Sequence, residues 1–267
     1  MFHQTDVRVL QPGLTPFPDD VFAPDQPWLA DHLLPLIAID LGLLRPELAG
    51  SVVTLLCPIE PYEGCLGDGT EAHHNAFTGS NWLAFELQAD NRLRFLGNEG
   101  YFQRAPQNSD ALPVDEDLRE HAAEMQDSHA AARAYFQQHG MLVSGVDVDV
   151  DVDDEDEDED EDEEPQQQAY LDNLGGPFWH GNWTDYSTIP SAFRIEDLAG
   201  TTQRGTLHFR NDSAHLPDDG IRITRDGEPF FHVADVASYN WCAGGADAIL
   251  MFYEPRSRTV LFTFDWS

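Results

Sequence analysis

Two tryptophans, a histidine and a carboxylate crowd into one glycine-rich string, LDNLGGPFWHGNWTDYS, at residues Leu171–Ser187. Trp179, Trp183 and Tyr186 are the right types to wall an aromatic binding surface. His180 could act as general base, with Asp185 orienting its ring, which is the pairing a hydrolase-like small-molecule enzyme needs. The same residues serve equally as a loop whose Trp179 and Trp183 cap the end of a sheet, with the glycines admitting left-handed turns. Both readings stay open at this point. No Gly-x-Ser-x-Gly elbow, His-Glu-x-x-His pair or phosphate-binding loop accompanies the string. No motif therefore assigns a catalytic residue, and nothing calls for a cofactor.

His73 and His74, close to Glu71, Asp68 and Cys65, have the side chains of a metal site but not the spacing. Adjacent histidines diverge on a strand and splay on a helix, so one ion rarely takes both, and an exposed loop is expected instead. His208, His215 and His232 lie on or beside separate predicted strands. No metal ligand set is assigned.

The second chemical signal is charge. From Asp147 to Glu164 the chain reads DVDVDVDDEDEDEDEDEE, in which fifteen of eighteen residues are carboxylates. Like charges repel and only three valines interrupt them, so a disordered, solvated insertion is predicted. Asp147, Asp149 and Asp151 imitate the start of a calcium loop. Val152 stands where the turn needs glycine, however, and Asp158 where a bidentate glutamate is needed, so no specific calcium site follows. Asp153, Asp156 and Asp158 are instead candidate contacts for a cationic partner, against the plainer reading of a solvated linker.

The formal net charge is −35, and without the tract's fifteen acids the rest still carries −20. All 14 basic side chains are arginine. Such a chain repels nucleic acid and anionic membranes and favours a basic protein partner. Solubility or adaptation to salt explains the charge as well. Cys57, Cys65 and Cys242 form no Cys-x-x-Cys pair and no disulfide framework. The apolar stretch Leu33–Leu44 is broken by Pro35, Asp40 and Gly42, too short to span a bilayer, and the first residues carry no signal-like apolar run. A soluble cytoplasmic protein is the expectation; its oligomeric state is not legible.

The elements that must position these residues are of several kinds. Residues 1–24 read as an extended lead-in. Trp28–Leu44 has helix-compatible apolar spacing and predicts two short helices divided at Pro35. Ser51–Ile59 reads as a buried strand, and Asn81–Gln88 with Arg92–Leu96 as a hairpin. Asp115–His139 is the clearest helix: Leu118, Ala122, Met125, His129, Ala132 and Phe136 line one face, acids open it and Gly140 closes it. Strands are expected at Thr206–Arg210, Ile221–Thr224, Pro229–Asp235, Ala248–Glu254 and Thr259–Trp266, with Asp226-Gly227 a tight turn. The fold class is α+β. An N-terminal mixed helix and strand half (1–140) packs through a shared core with a C-terminal antiparallel meander (169–267), interrupted by the acidic insertion (141–168).

The segments LGGPFWHGNW, IPSAFRIEDLAG and ASYNWCAGGADAILMFYEPRSRTVLFTFDWS resemble the YwqG-like family of bacterial proteins. Gly175, Gly176, Pro177 and Trp179 match its first glycine-aromatic turn, and Trp241, Gly244, Gly245 and Asp247 its second. His180, Gly181 and Asn182 replace a glutamine usual after the first tryptophan, and Cys242-Ala243 lengthens the second turn. The resemblance covers about the last hundred residues. It implies a β-rich binding or immunity-like module and transfers no catalytic residue. The reading that follows is a non-enzymatic, immunity- or antitoxin-like binding protein for a basic partner, with the Trp179–Asp185 enzyme as alternative.

Overall fold

Strand β12 (Ala248–Glu254) is apolar at both parities and β13 (Thr259–Asp265) is buried at both, so a sheet built on them is covered on both faces. In the computed structural model, which describes residues 2–108, 116–143, 166–178, 183, 189–197 and 221–266, that is the arrangement. Seven strands form the central sheet in the order β1 (His3–Val7), β7 (Leu171–Gly175), β11 (Phe231–Val236), β12, β13, β5 (Trp82–Leu87) and β6 (Leu93–Phe95). All strand pairings are antiparallel. Ile249, Met251, Val260, Phe262, Leu83 and Phe85 point into the larger core, whereas Leu250, Phe252, Leu261, Trp82 and Ala84 belong to a smaller one. The alternation is what a two-residue strand period dictates.

A three-stranded sheet closes each face. Strands β2 (Leu14–Pro16), β3 (Leu33–Asp40) and β4 (Val52–Pro58) contribute to the larger core, together with the 24-residue helix α1 (Glu116–His139). Strands β8 (Phe193–Asp197), β9 (Ile221–Arg225) and β10 (Glu228–Pro229) supply Phe193, Ile221 and Ile223 to the smaller one. The protein is thus mostly β, with one long helix among the described residues. No helix among them is long and apolar enough to cross a membrane.

Two expectations need correction. Residues Trp28–Leu44 do not form two helices: a 3₁₀ turn at Pro27–Asp31 leads into β3. The run LLPLIAID is apolar on both sides and β-branched at its centre, so it suits a strand buried from both faces. Pro35, with no N–H to give, sits where the β3–β4 register shifts. The central sheet is also not a C-terminal meander alone. Consecutive β11, β12 and β13 form its middle, but the open edge of β13 is taken by β5, with Phe262 opposite Leu83. Strands β9 and β10 leave the meander and pair with β8. The strand expected at Thr206–Arg210 lies outside the described residues.

Several local signals translate directly. The face of α1 formed by Leu118, Ala122, Met125, His129 and Ala132 is buried, and His129 Nε2 lies 3.0 Å from the Pro35 carbonyl, anchoring the helix to β3. Asp226 (φ 50°) and Gly227 (φ 83°) make the tight β9–β10 turn. Val143 and Gln167 pair antiparallel, and the Gln168 N–H donates to the Leu142 carbonyl at 2.8 Å. The chain on either side of residues 144–165 is therefore held together at its base.

Candidate functional site

Trp179, His180, Asp185 and Tyr186 lie outside the described residues, as do Asp153, Asp156 and Asp158 and the whole acidic tract. Trp183 is described and is buried, 1 % exposed, against Trp82 (ring centroids 5.7 Å apart) and Phe252. Its backbone N–H donates to Asp265 Oδ1 at 2.6 Å. It belongs to the smaller core, on the face of the central sheet that β8 and β9 cover. Gly175 and Gly176, just before, both have positive φ, and a Cβ on Gly175 would stand 2.5 Å from the Phe2 carbonyl oxygen.

His73, His74 and His232 are packed into the fold. His74 Nε2 lies 2.9 Å from the Gly67 carbonyl, and His73 packs over Gly100. His232 is buried, its Nδ1 3.1 Å from the Gly175 carbonyl and its Nε2 3.2 Å from Asp235 Oδ2 without hydrogen-bond alignment. Among the described residues no group of three or more His, Cys, Asp and Glu is placed to hold a metal ion.

A concave site arises elsewhere, where four segments distant in sequence meet. A cleft of about 410 Å³ is lined by Tyr62 and Glu63 from the turn after β4, His121 from α1, Tyr239 and Gly244 from the loop before β12, and Trp266. The first segment is pinned from beneath. Glu60 is buried and accepts the backbone N–H groups of Gln103 (2.6 Å) and Arg104 (3.1 Å), and Pro61 after it follows a cis peptide bond. Burial pushes the Glu60 carboxyl up to about 7, against the lowering effect of those two N–H groups. With Glu60 and Pro61 held inside, Tyr62 and Glu63 turn outward.

The 238–245 loop is built around its glycine. Gly245 has φ +104°, and a Cβ there would lie 2.8 Å from the Ser238 side chain, so only glycine closes the loop. Asn240 Nδ2 donates to the Ala169 carbonyl at 3.1 Å, and the Ala243 N–H donates to Ser128 Oγ on α1 at 2.9 Å. Trp241 is buried in the larger core, which leaves Tyr239 as the aromatic presented outward.

Tyr62 is 52 % exposed and Tyr239 45 %, two of the few large apolar side chains exposed among the described residues. Electrostatically the cleft leans negative. Burial lowers the His121 pKa, a displacement opposed first by the charge of Glu124. Tyr239 is raised by burial and then by Asp247. Among the described residues no arginine lines the cleft, although the charge of Arg104 reaches His121. A larger hollow of about 610 Å³ runs along β8–β10, but its Arg222 faces Glu196 at 3.7 Å and it adjoins the undescribed residues 198–220.

The sequence signal for this cleft was present but scattered. The glycine-aromatic turn through Trp241, Gly244 and Gly245 stood out, and a tyrosine between proline and glycine at Pro61–Gly64 hints at an exposed turn. Nothing in the spacing joins them to His121. No family model, curated protein or solved structure matches the chain.

Proposed function

We propose that this chain is a non-enzymatic binding protein of the cytoplasm whose partner is a basic protein, with an immunity- or antitoxin-like role against a cationic effector as its concrete form. One observation carries the reading: the exposed face of α1 presents Glu116, Asp117, Glu120, Glu124 and Asp127 beside the cleft, on a chain of net charge −35. Much of the scarce positive charge is already engaged internally. Arg94 meets Asp25 at 2.6 Å, Arg133 meets Asp19 at 2.7 Å, and Arg258 donates to the Leu87 and Gln88 carbonyls. Such exposed pairs add little stability, but they leave little cationic surface to offset the acids. A field of this sign raises encounter rates with cationic proteins by roughly 10- to 10³-fold at low salt.

The fold-level proposal follows the same line. Residues 141–168 are an acidic insertion between two halves that share a core; the pairing of Val143 with Gln167, which lets the tract leave and return at one place, supports this. Three buried, unpaired cysteines suit a reducing compartment. The likeness to YwqG-like proteins enters on the same footing. Its support is the positive-φ pair Gly175-Gly176 and the Gly245 turn beside Trp241.

The test uses the full chain and a variant lacking 147–164, whose closed base lets the fold survive the deletion. Both are exposed to source-cell lysate at low and moderate salt, and the association rate of the retained protein is then measured. The expected result is one basic protein whose on-rate falls with salt and with the deletion. An on-rate and salt dependence untouched by the deletion reduce the tract to a linker. Retention of no basic protein at any salt removes the reading altogether.

A further inference from the structure

We infer that the Tyr62–Tyr239 cleft is a docking site for a guanidinium side chain, so that the partner inserts an arginine between the two tyrosines. The inference rests on the basic-partner reading and gives it a place on the folded surface. Long-range charge steers a partner but does not select one, so selection needs a shaped site. The cleft supplies the shape: two half-exposed phenol rings in its lining, Tyr62 set 5.7 Å from the His121 ring, on segments each pinned to the core, around a hollow of about 410 Å³.

Its electrostatics choose the occupant. Glu63 lines the cleft, and Glu124 and Asp247 act on His121 and Tyr239; among the described residues these carboxylates outnumber the one cation, Arg104, whose charge also reaches His121. His121 brings no opposing charge near neutral pH, because burial favours its neutral ring. An anionic guest, including an acidic segment of this same chain, would meet carboxylates. A neutral apolar guest would leave them without compensation. A planar cation satisfies both features, with its face against a tyrosine and its N–H groups towards a carboxylate. Guanidinium fits better than ammonium, since it stacks on aromatic faces and is less strongly hydrated.

The test titrates end-blocked Gly-Arg-Gly and Gly-Lys-Gly into the full chain, read by NMR of labelled tyrosine rings, with Tyr62→Ala and Tyr239→Ala alongside. Both tyrosines are exposed, so the variants should fold, which a thermal melt checks. The arginine peptide should shift Tyr62 and Tyr239 and bind about five-fold tighter than the lysine peptide. Each alanine should weaken it about three-fold. Equal shifts from both peptides, or none at these two rings, overturn the cleft assignment. A nine-arginine peptide added to the same samples separates the two claims. If it still binds in a salt-dependent way, the acidic-surface reading stands without the cleft; if neither peptide binds at low salt, both fall.

Discussion

On one side of β13, Val260, Phe262 and Phe264 enter a core that β3, β4 and α1 close; on the other, Leu261 meets a much smaller cluster under β8, β9 and β10. The first cover is tied in many ways, with β3 and β4 joined through seven residue pairs on either side of the shift at Pro35, and α1 bonded to Pro35. It also carries buried titratable groups at its margin, including His32, Glu60 and His129. The second cover depends on short strands, of which β10 has only two residues. Two faces of one strand thus differ in how much depends on them, and the difference predicts where the protein resists damage.

The largest expected effect lies on the deep side. Phe262→Ala removes a fully buried ring packed edge-on against Phe85 and should cost about 3–5 kcal/mol in urea unfolding. Leu261→Ala, equally buried but one position along, should cost about 2–3 kcal/mol, the low end for such a truncation. Equal losses would mean that the shallow cluster is as tightly packed as the deep one.

A second contrast lies within the deep side. His32 is buried against Phe102, stacked at 4.4 Å, and neither ring nitrogen has a hydrogen bond. Burial, then the charge of Arg104, lowers its pKa to about 4. A histidine depressed on folding withdraws stability as pH falls from its unfolded value near 6.5 towards 4. Glu60, raised to about 7, does the reverse: its contribution is present below about 4.5 and is lost as pH rises to 7. Between about 4.5 and 6.5 the two slopes oppose. Relative to wild type, His32→Phe should gain up to roughly 3 kcal/mol towards pH 4, and the gain should vanish above 6.5. Glu60→Gln should gain in the opposite direction, above pH 4.5, on top of a fixed loss of about 1 kcal/mol for one forfeited N–H acceptor. Parallel pH profiles for the two variants would contradict both assignments.

Helix α1, the β9–β10 turn and strands β12 and β13 were legible because each is specified by local pattern: a helical period, an Asp-Gly pair, runs bounded by turn residues. Strand β3 was misread for a physical reason. A segment buried on both faces has no period, and its Trp28 and Leu29 lead-in imitates a helix. Sheet order was beyond reach, since β13 chooses β5 across more than 170 residues of chain. The cleft was hidden for the same reason: Tyr62, His121 and Tyr239 meet only through tertiary packing, and no spacing relates them. Aromatics that draw attention in a sequence, such as Trp183, are often the ones the core consumes.

The smallest effect gives the sharpest comparison of the two covers. Gly50, between β3 and β4, has φ +85°, and Gly227, between β9 and β10, has φ +83°; a Cβ on either meets nothing within 4 Å. Alanine at each position therefore carries the same backbone strain, about 1 kcal/mol, with no clash and no lost N–H. If both covers melt with the central sheet as one cooperative unit, Gly50→Ala and Gly227→Ala should lower Tm equally, by roughly 2–4 °C. If the β8–β10 cover opens on its own, Gly227→Ala should leave the global transition in place. It would instead speed amide hydrogen exchange in β9 about five-fold, since opening then costs that much less. Gly50→Ala would still shift the whole transition. The strain is matched, so any difference between the two melts measures how strongly each cover is coupled to the sheet it protects.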